Sequence, residues 1–170
     1  KLIFYITFST FVIIGLKSFQ DYGISLDENW HREIGLLFYQ FIKGYFFELE
    51  NFQRVEASAI REMISQVHLA AIRQPVVFDL PIEFLIDVFN LEDSYQIFHL
   101  RHFINFFYFL FLVYFFFKIL RKRFPQKIYA YTGMLCLFFS PRIFAESFYN
   151  NKDIFFLSLT IINVYMAINL

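Results

Sequence analysis

The sequence predicts an all-α, polytopic membrane protein with about four transmembrane helices and amphipathic surface helices in a long first external loop. Three observations predict it. Of 170 residues, 58% are hydrophobic and 28 are phenylalanine, whereas soluble domains hold about 45–50% apolar residues. These residues gather into charge-free runs, Leu2–Leu16, Phe103–Phe117, Ile128–Pro141 and Ile154–Leu170. A compositional bias of the source would enrich Phe and Ile without separating them in this way. The joint between the second and third runs, Lys118–Lys127, carries five bases and no acid, the mark of a short cytoplasmic loop.

Each run is slightly short of the roughly 20 residues that cross a bilayer. Flanking Lys and Arg snorkel and Tyr sits well in the interface, so neighbours extend them. The expected organisation is one membrane domain over 1–170. Its spans are 1–17, 102–120, 128–141 and 154–170, and its loops are 18–101, 121–127 and 142–153. The first span is expected to stay uncleaved, because Lys17-Ser18-Phe19-Gln20 offers no small-residue cleavage site. The chain starts without methionine and stops inside an apolar run, as expected for the N-terminal portion of a larger membrane protein. With the basic joint inside, all 15 acids fall on the external side. The external bases do not oppose this threading, since most sit in a loop too long for the charge rule. The lone cysteine, Cys136, excludes an internal disulfide and a Cys-based zinc cluster.

In the first external loop, Trp30–Glu50 has apolar residues at Ile34, Leu37, Phe38, Phe41, Ile42 and Tyr45, a helical period. Asp27 or Asn29 is expected to cap it, with Glu28 and Glu33 near its positive end. Glu56–Arg73 repeats the pattern and stops at Gln74-Pro75. Val76–Leu80 reads as extended, and Pro81 suits the first turn of a helix over Ile82–Phe89. After the third span, Arg142–Asp153 reads as a short polar loop that places Asp153 at the mouth of the fourth.

The spans hold almost no ionisable groups, whereas transporters and proton pumps usually set theirs near the midplane. Here the acids stand at the external ends of spans. That pattern points to chemistry at the membrane–water interface on a substrate with a lipid tail and a polar head.

Asp27-Glu28-x-x-His31-Arg32-Glu33-Ile34-Gly35, just past the first span, resembles the first external loop of GT-C glycosyltransferases. It is most similar to glycosyltransferase family 39, the group of protein O-mannosyltransferases and lipid A aminoarabinose transferases. Ser140-Pro141-Arg142-x-x-x-Glu146-x-x-x-Asn150-Asn151-Lys152-Asp153 is similar to the second external loop of that group, and closer still to an uncharacterised bacterial branch of it. The resemblance implies an inverting transfer from a polyprenyl-phosphate sugar to a glycan, lipid or protein acceptor. It implies a site on the outer face of a bacterial inner membrane, with no nucleic acid as partner. Asp27 matches the general base that takes the acceptor's hydroxyl proton, with Glu28 in support. Arg32, Arg101, Arg142 and Lys152 are the cations expected at the leaving phosphate. Asp153 and Glu146 are expected to orient the acceptor or those bases. Members of the group differ over metal use, and no metal or other cofactor is expected by default.

Plainer roles stand beside these. Asp27 suits a helix cap, Glu28 a first-turn acid, and Asp21 a solvated loop acid. Glu146, Lys152 and Asp153 suit pairing with one another or with headgroups. His99 and His102 have the i, i+3 spacing of metal ligands but also suit a helix end at the interface. Trp30 suits an interfacial anchor. The competing functional class is a non-enzymatic membrane protein: a transporter, a flippase or an envelope-polysaccharide assembly component.

Overall fold

A computed structural model describes residues 2–47 and 76–170. Among these, seven helices occur: α1 (Leu2–Ser18), α2 (Leu26–Phe47), α3 (Asp79–Val88), α4 (Ser94–Arg123), α5 (Lys127–Phe138), α6 (Pro141–Tyr149) and α7 (Asn151–Asn169). The described residues contain no strand, as the all-α expectation required. The expected helix over Glu56–Arg73, with its end at Gln74-Pro75, lies outside the described residues.

The chain divides into two compact units rather than the single domain expected. Lys1–Ser25 and Asp93–Leu170 form the first, and Leu26–Glu92 the second.

In the first unit α4 is the axis around which the others pack. Its 30 residues make a rod of about 45 Å, longer than the ~30 Å hydrocarbon layer. Asp93 starts it, its side chain accepting a hydrogen bond from the Tyr95 amide at 3.1 Å. The helix therefore begins well before the expected span at 102, because a capped polar turn continues smoothly into the apolar run. α1 runs antiparallel to α4: Phe4 stacks on Phe117 with ring centroids 4.7 Å apart, Phe8 meets Tyr114, and Phe19 meets Phe103. Gly15 makes that approach possible, since a Cβ there would occupy the Phe106 ring. α5 returns along α4, with Phe117 against Tyr131 and Phe109 against Phe138. α7 then runs parallel to α4. Ser158 Oγ donates to the Tyr108 carbonyl at 2.9 Å, and Lys122 Nζ donates to Ile168 O at 2.9 Å and Asn169 Oδ1 at 2.7 Å. The core is largely aromatic; Phe11 and Phe138 stack with nearly parallel planes, ring centroids 3.7 Å apart.

Among the described residues two helices are long and apolar enough to cross a membrane, α4 and α7. A third candidate is the pair α5 and α6, bent by 59° at its break. α1 is apolar but has only 17 residues. The stretch 142–153, expected as a loop, is helical except at Asn150. Pro141 opens α6 at a position where its missing N–H costs nothing, and Ser147 and Phe148 bury its inner face.

In the second unit α2 packs on α3, where Gly35 lets the two helices close until a Cβ there would strike the Asp79 side chain. Ile34 of α2 and Ile82 and Ile86 of α3 are buried. The α2 face bearing Phe38, Phe41, Ile42 and Phe46 stays exposed, an apolar stripe of the kind interfacial helices carry. Val76–Phe78 forms a turn and Asp79 already opens α3, so the extended piece expected over Val76–Leu80 is absent. Pro81 does lie in the first turn of the helix.

Candidate functional site

The candidate residues fall into the two units, and each set has its own geometry. In the second unit α2 begins at Leu26, so Asp27 and Glu28 lie in its first turn and neither Asp27 nor Asn29 is the cap. Carboxylates are commonly placed there, at the positive end of the helix dipole. The adjacent acids differ in setting. Asp27 is exposed, whereas Glu28 is 1% exposed. One helical turn on, Arg32 faces the buried Glu83 of α3, Nε to Oε1 at 3.9 Å. Asp79, also buried, sits against Gly35. The helix pair thus encloses three acids, a burial that a carboxylate tolerates only with compensating hydrogen bonds or charges. Trp30 is exposed, as an interfacial anchor would be.

Further along the same pair, Lys43 Nζ donates to both Asp87 oxygens, at 2.9 and 2.7 Å, and the Tyr39 hydroxyl donates to Oδ2 at 2.8 Å. These bonds hold the Asp87 carboxyl below the usual carboxylate range. Burial, then the bond to Asp87, pushes the Tyr39 phenol up to about 12. Tyr39, Gln40, Lys43, Glu83 and Asp87 help line an open cavity of ≈ 300 Å³. α3 ends beside it in a left-handed residue, Asn90 (φ 51°), with Leu91 N–H closing back to Ile86 O.

In the first unit the polar groups collect at the end where α4 and α7 begin. Arg101, His102 and Asn105 are 1%, 1% and 0% exposed, so Arg101 and the histidine beside it are core residues of α4 rather than a surface lead-in. Asn105 Nδ2 reaches the Glu146 carbonyl of α6 at 3.4 Å, while its Oδ1 is enclosed without a hydrogen-bond partner. His99 Nδ1 lies 2.6 Å from Tyr95 O, which fixes that nitrogen as the protonated one. The His99 and His102 rings lie 6.3 Å apart. Among the described residues no group of three or more His, Cys, Asp or Glu is arranged to hold a metal ion.

On α6, Arg142 is exposed and donates from Nε to Glu146 Oε1 at 2.8 Å. Asn150 joins α6 to α7: its Oδ1 accepts from the Asp153 amide at 3.2 Å and its Nδ2 donates to Asp153 Oδ2 at 3.0 Å. Asp153 is therefore an N-terminal acid held by Asn150, and Lys152 projects beside it, exposed. Of the residues expected to act together, Arg142 and Glu146 meet, while Asp153 is engaged by Asn150.

The spacing of Arg101 and Asn105 at i, i+4 at the entry to an apolar run signals a shared helix face and was available to find the buried polar face of α4. The acids Asp79, Glu83 and Asp87, at i, i+4 and i+8, likewise share one face of α3, but the spacing does not disclose that their partners lie in α2. No protein-family model, no curated protein and no solved structure matches the chain.

Proposed function

We propose that the chain is part of an integral-membrane glycosyltransferase of GT-C type, acting on the outer face of a bacterial inner membrane. It would transfer a sugar from a polyprenyl-phosphate donor, with inversion, to a glycan, lipid or protein acceptor. The observation that carries this reading is the pairing at the head of α2. Asp27 stands exposed one short connection after the apolar α1, beside a buried Glu28. Further support comes from the collection of Asp21, Asp93, Glu146 and Asp153 at one end of the first unit.

In this mechanism the acceptor hydroxyl hydrogen-bonds to the Asp27 carboxylate. Asp27 removes the proton as the hydroxyl oxygen attacks C1 from the side opposite the phosphate, and the C1–O bond to phosphate breaks. The departing lipid phosphate requires charge stabilisation rather than protonation. Arg32, in the same unit as Asp27, is the candidate donor, arginine being suited to two-pronged contact.

Asp27→Asn is expected to lower transfer by about 10²-fold or more, with expression and membrane insertion unchanged; normal turnover in purified D27N protein overturns the reading. The burial of Arg101, His102 and Asn105 in a candidate spanning helix supports a second reading, a transporter, flippase or envelope-polysaccharide assembly component. Substrate uptake into vesicles that survives Asp27→Asn and Asp153→Asn but not Arg101→Gln selects it.

A further inference from the structure

We propose that the end of the first unit where α4 finishes and α5 begins is a binding site for the phosphate of an anionic phospholipid. This rests on the spanning helices alone and is independent of the transferase reading. Charge is unevenly balanced along the unit. Its acids, Asp21, Asp93, Glu146 and Asp153, all lie where α1 ends and α4 and α7 begin, and Lys17, Arg101, Arg142 and Lys152 balance them there. Lys118, Arg121, Lys122, Arg123 and Lys127 gather at the other end of α4, about 45 Å away along the helix. No carboxylate of the first unit is within reach of them.

The fold neutralises only part of this charge. Lys122 is spent on the last carbonyls of α7, a C-terminal cap. Lys118 lies over the Tyr114 ring, 5.8 Å from its centroid. Arg121 is half-buried, with one terminal nitrogen enclosed and lacking an acceptor. Arg123 and Lys127 flank the connection fully exposed. The positive-inside rule accounts for the sign of these residues but leaves Arg121, Arg123 and Lys127 around one tight connection with no ion pair among the described residues of the unit.

The surroundings select the anion. Phe124, Ile128 and Tyr129 are exposed at 39%, 62% and 53% around the basic groups, and Phe124 and Tyr129 pack together at 5.7 Å. An aromatic and aliphatic collar beside a cluster of bases at the end of a spanning helix matches a ligand whose phosphate is joined to acyl chains. A free phosphate or a nucleic acid makes no use of that collar.

The test is native mass spectrometry of the full chain titrated with phosphatidylglycerol or phosphatidylcholine of identical acyl chains, with inorganic phosphate as competitor. A juxtamembrane base contributes about fivefold in affinity, so Arg123→Gln/Lys127→Gln is expected to weaken phosphatidylglycerol binding about 25-fold. Lys118, Arg121 and Lys122 remain in that variant and keep the orientation signal. Lys17→Gln, at the opposite end, is expected to bind as the parent does. Equal retention of both lipids, or phosphatidylglycerol binding unmoved in the double variant, overturns the proposal. So does full displacement by millimolar inorganic phosphate, which would define a free-anion site.

Discussion

The two units solve the same problem, holding helices together, with opposite chemistry. In the first, α1, α5 and α7 meet α4 through ring contacts and two glycines, Gly15 and Gly133, and the charged groups are confined to its ends. In the second, α2 meets α3 around buried or bridged carboxylates: Asp79, Glu83 and Asp87 of α3 all face α2 residues. The contrast follows from the solvent each must face. Within a bilayer the hydrophobic drive between helices vanishes, so close packing and the occasional hydrogen bond remain. Ser158 to the Tyr108 carbonyl is such a bond. The second unit instead joins its helices through charge and leaves an apolar stripe of α2 exposed. Packing changes should therefore disturb the first unit, and charge or pH changes the second.

The largest effect expected from breaking this contrast is at Arg32. Arg32→Met removes a cation from beside Glu83, whose side chain is 1% exposed. A buried charge stripped of its partner costs about 3–5 kcal/mol. Glu83→Gln should cost less, because Arg32, at 25% exposure, can turn to water. Hydrogen exchange of α2 and α3 in nanodiscs checks both, and equal protection in R32M and the parent would remove the ionic account of this unit. The first unit's helices should keep their protection in either variant.

Next is Gly15→Ala, the apolar counterpart. The new methyl would sit in the Phe106 ring, and Phe106 is 1% exposed in the core. Overpacking of this kind costs about 1–3 kcal/mol, read as a lower unfolding temperature in detergent. Gly23→Ala meets nothing within 4 Å and should leave that temperature where it is. A matching loss at both glycines would mean that backbone freedom, not the approach of α1 to α4, is what Gly15 supplies.

What could be read from the sequence follows the same division. α1 and the apolar stretch of α4 were legible because membrane burial writes itself as uncharged length. The beginning of α4 at Ser94 and the whole of α6 were not, although both carried signals: Asp93-Ser94 is a start site, and Ile143, Phe144, Ser147 and Phe148 repeat at helical spacing. Density of polar residues in Arg142–Asp153 suggested a loop because exposed helix faces and loops share a composition. The interior carboxylates were beyond reach for a different reason. Asp87 bonds to a lysine 44 residues earlier, and one sequence without spatial information does not disclose such pairs. For the candidate site, the acids at helix starts were legible as residues and the Arg101–Asn105 spacing hinted at a shared face, while the burial of Glu28 was not legible.

The smallest effect sharpens the contrast through pH. Asp87 is partly exposed, so its bridge to Lys43 is screened and its removal should be mild. Its direction is nonetheless fixed. The folded carboxyl titrates below its unfolded value of about 3.9, so its contribution is complete above that pH and disappears as pH falls through the folded pKa. The Tyr39 phenol behaves in the opposite sense. Raised to about 12 in the fold, its contribution is intact below pH ~10 and lost as pH rises through the folded value. Exchange protection of the α2–α3 contact should therefore decline at both extremes, below pH ~4 and above pH ~10. Asp87→Asn should flatten the acid limb. Protection in the Phe11, Phe109 and Phe138 core, where no group titrates, should not follow either limb. An acid limb that persists unchanged in D87N would take Asp87 out of the pH account.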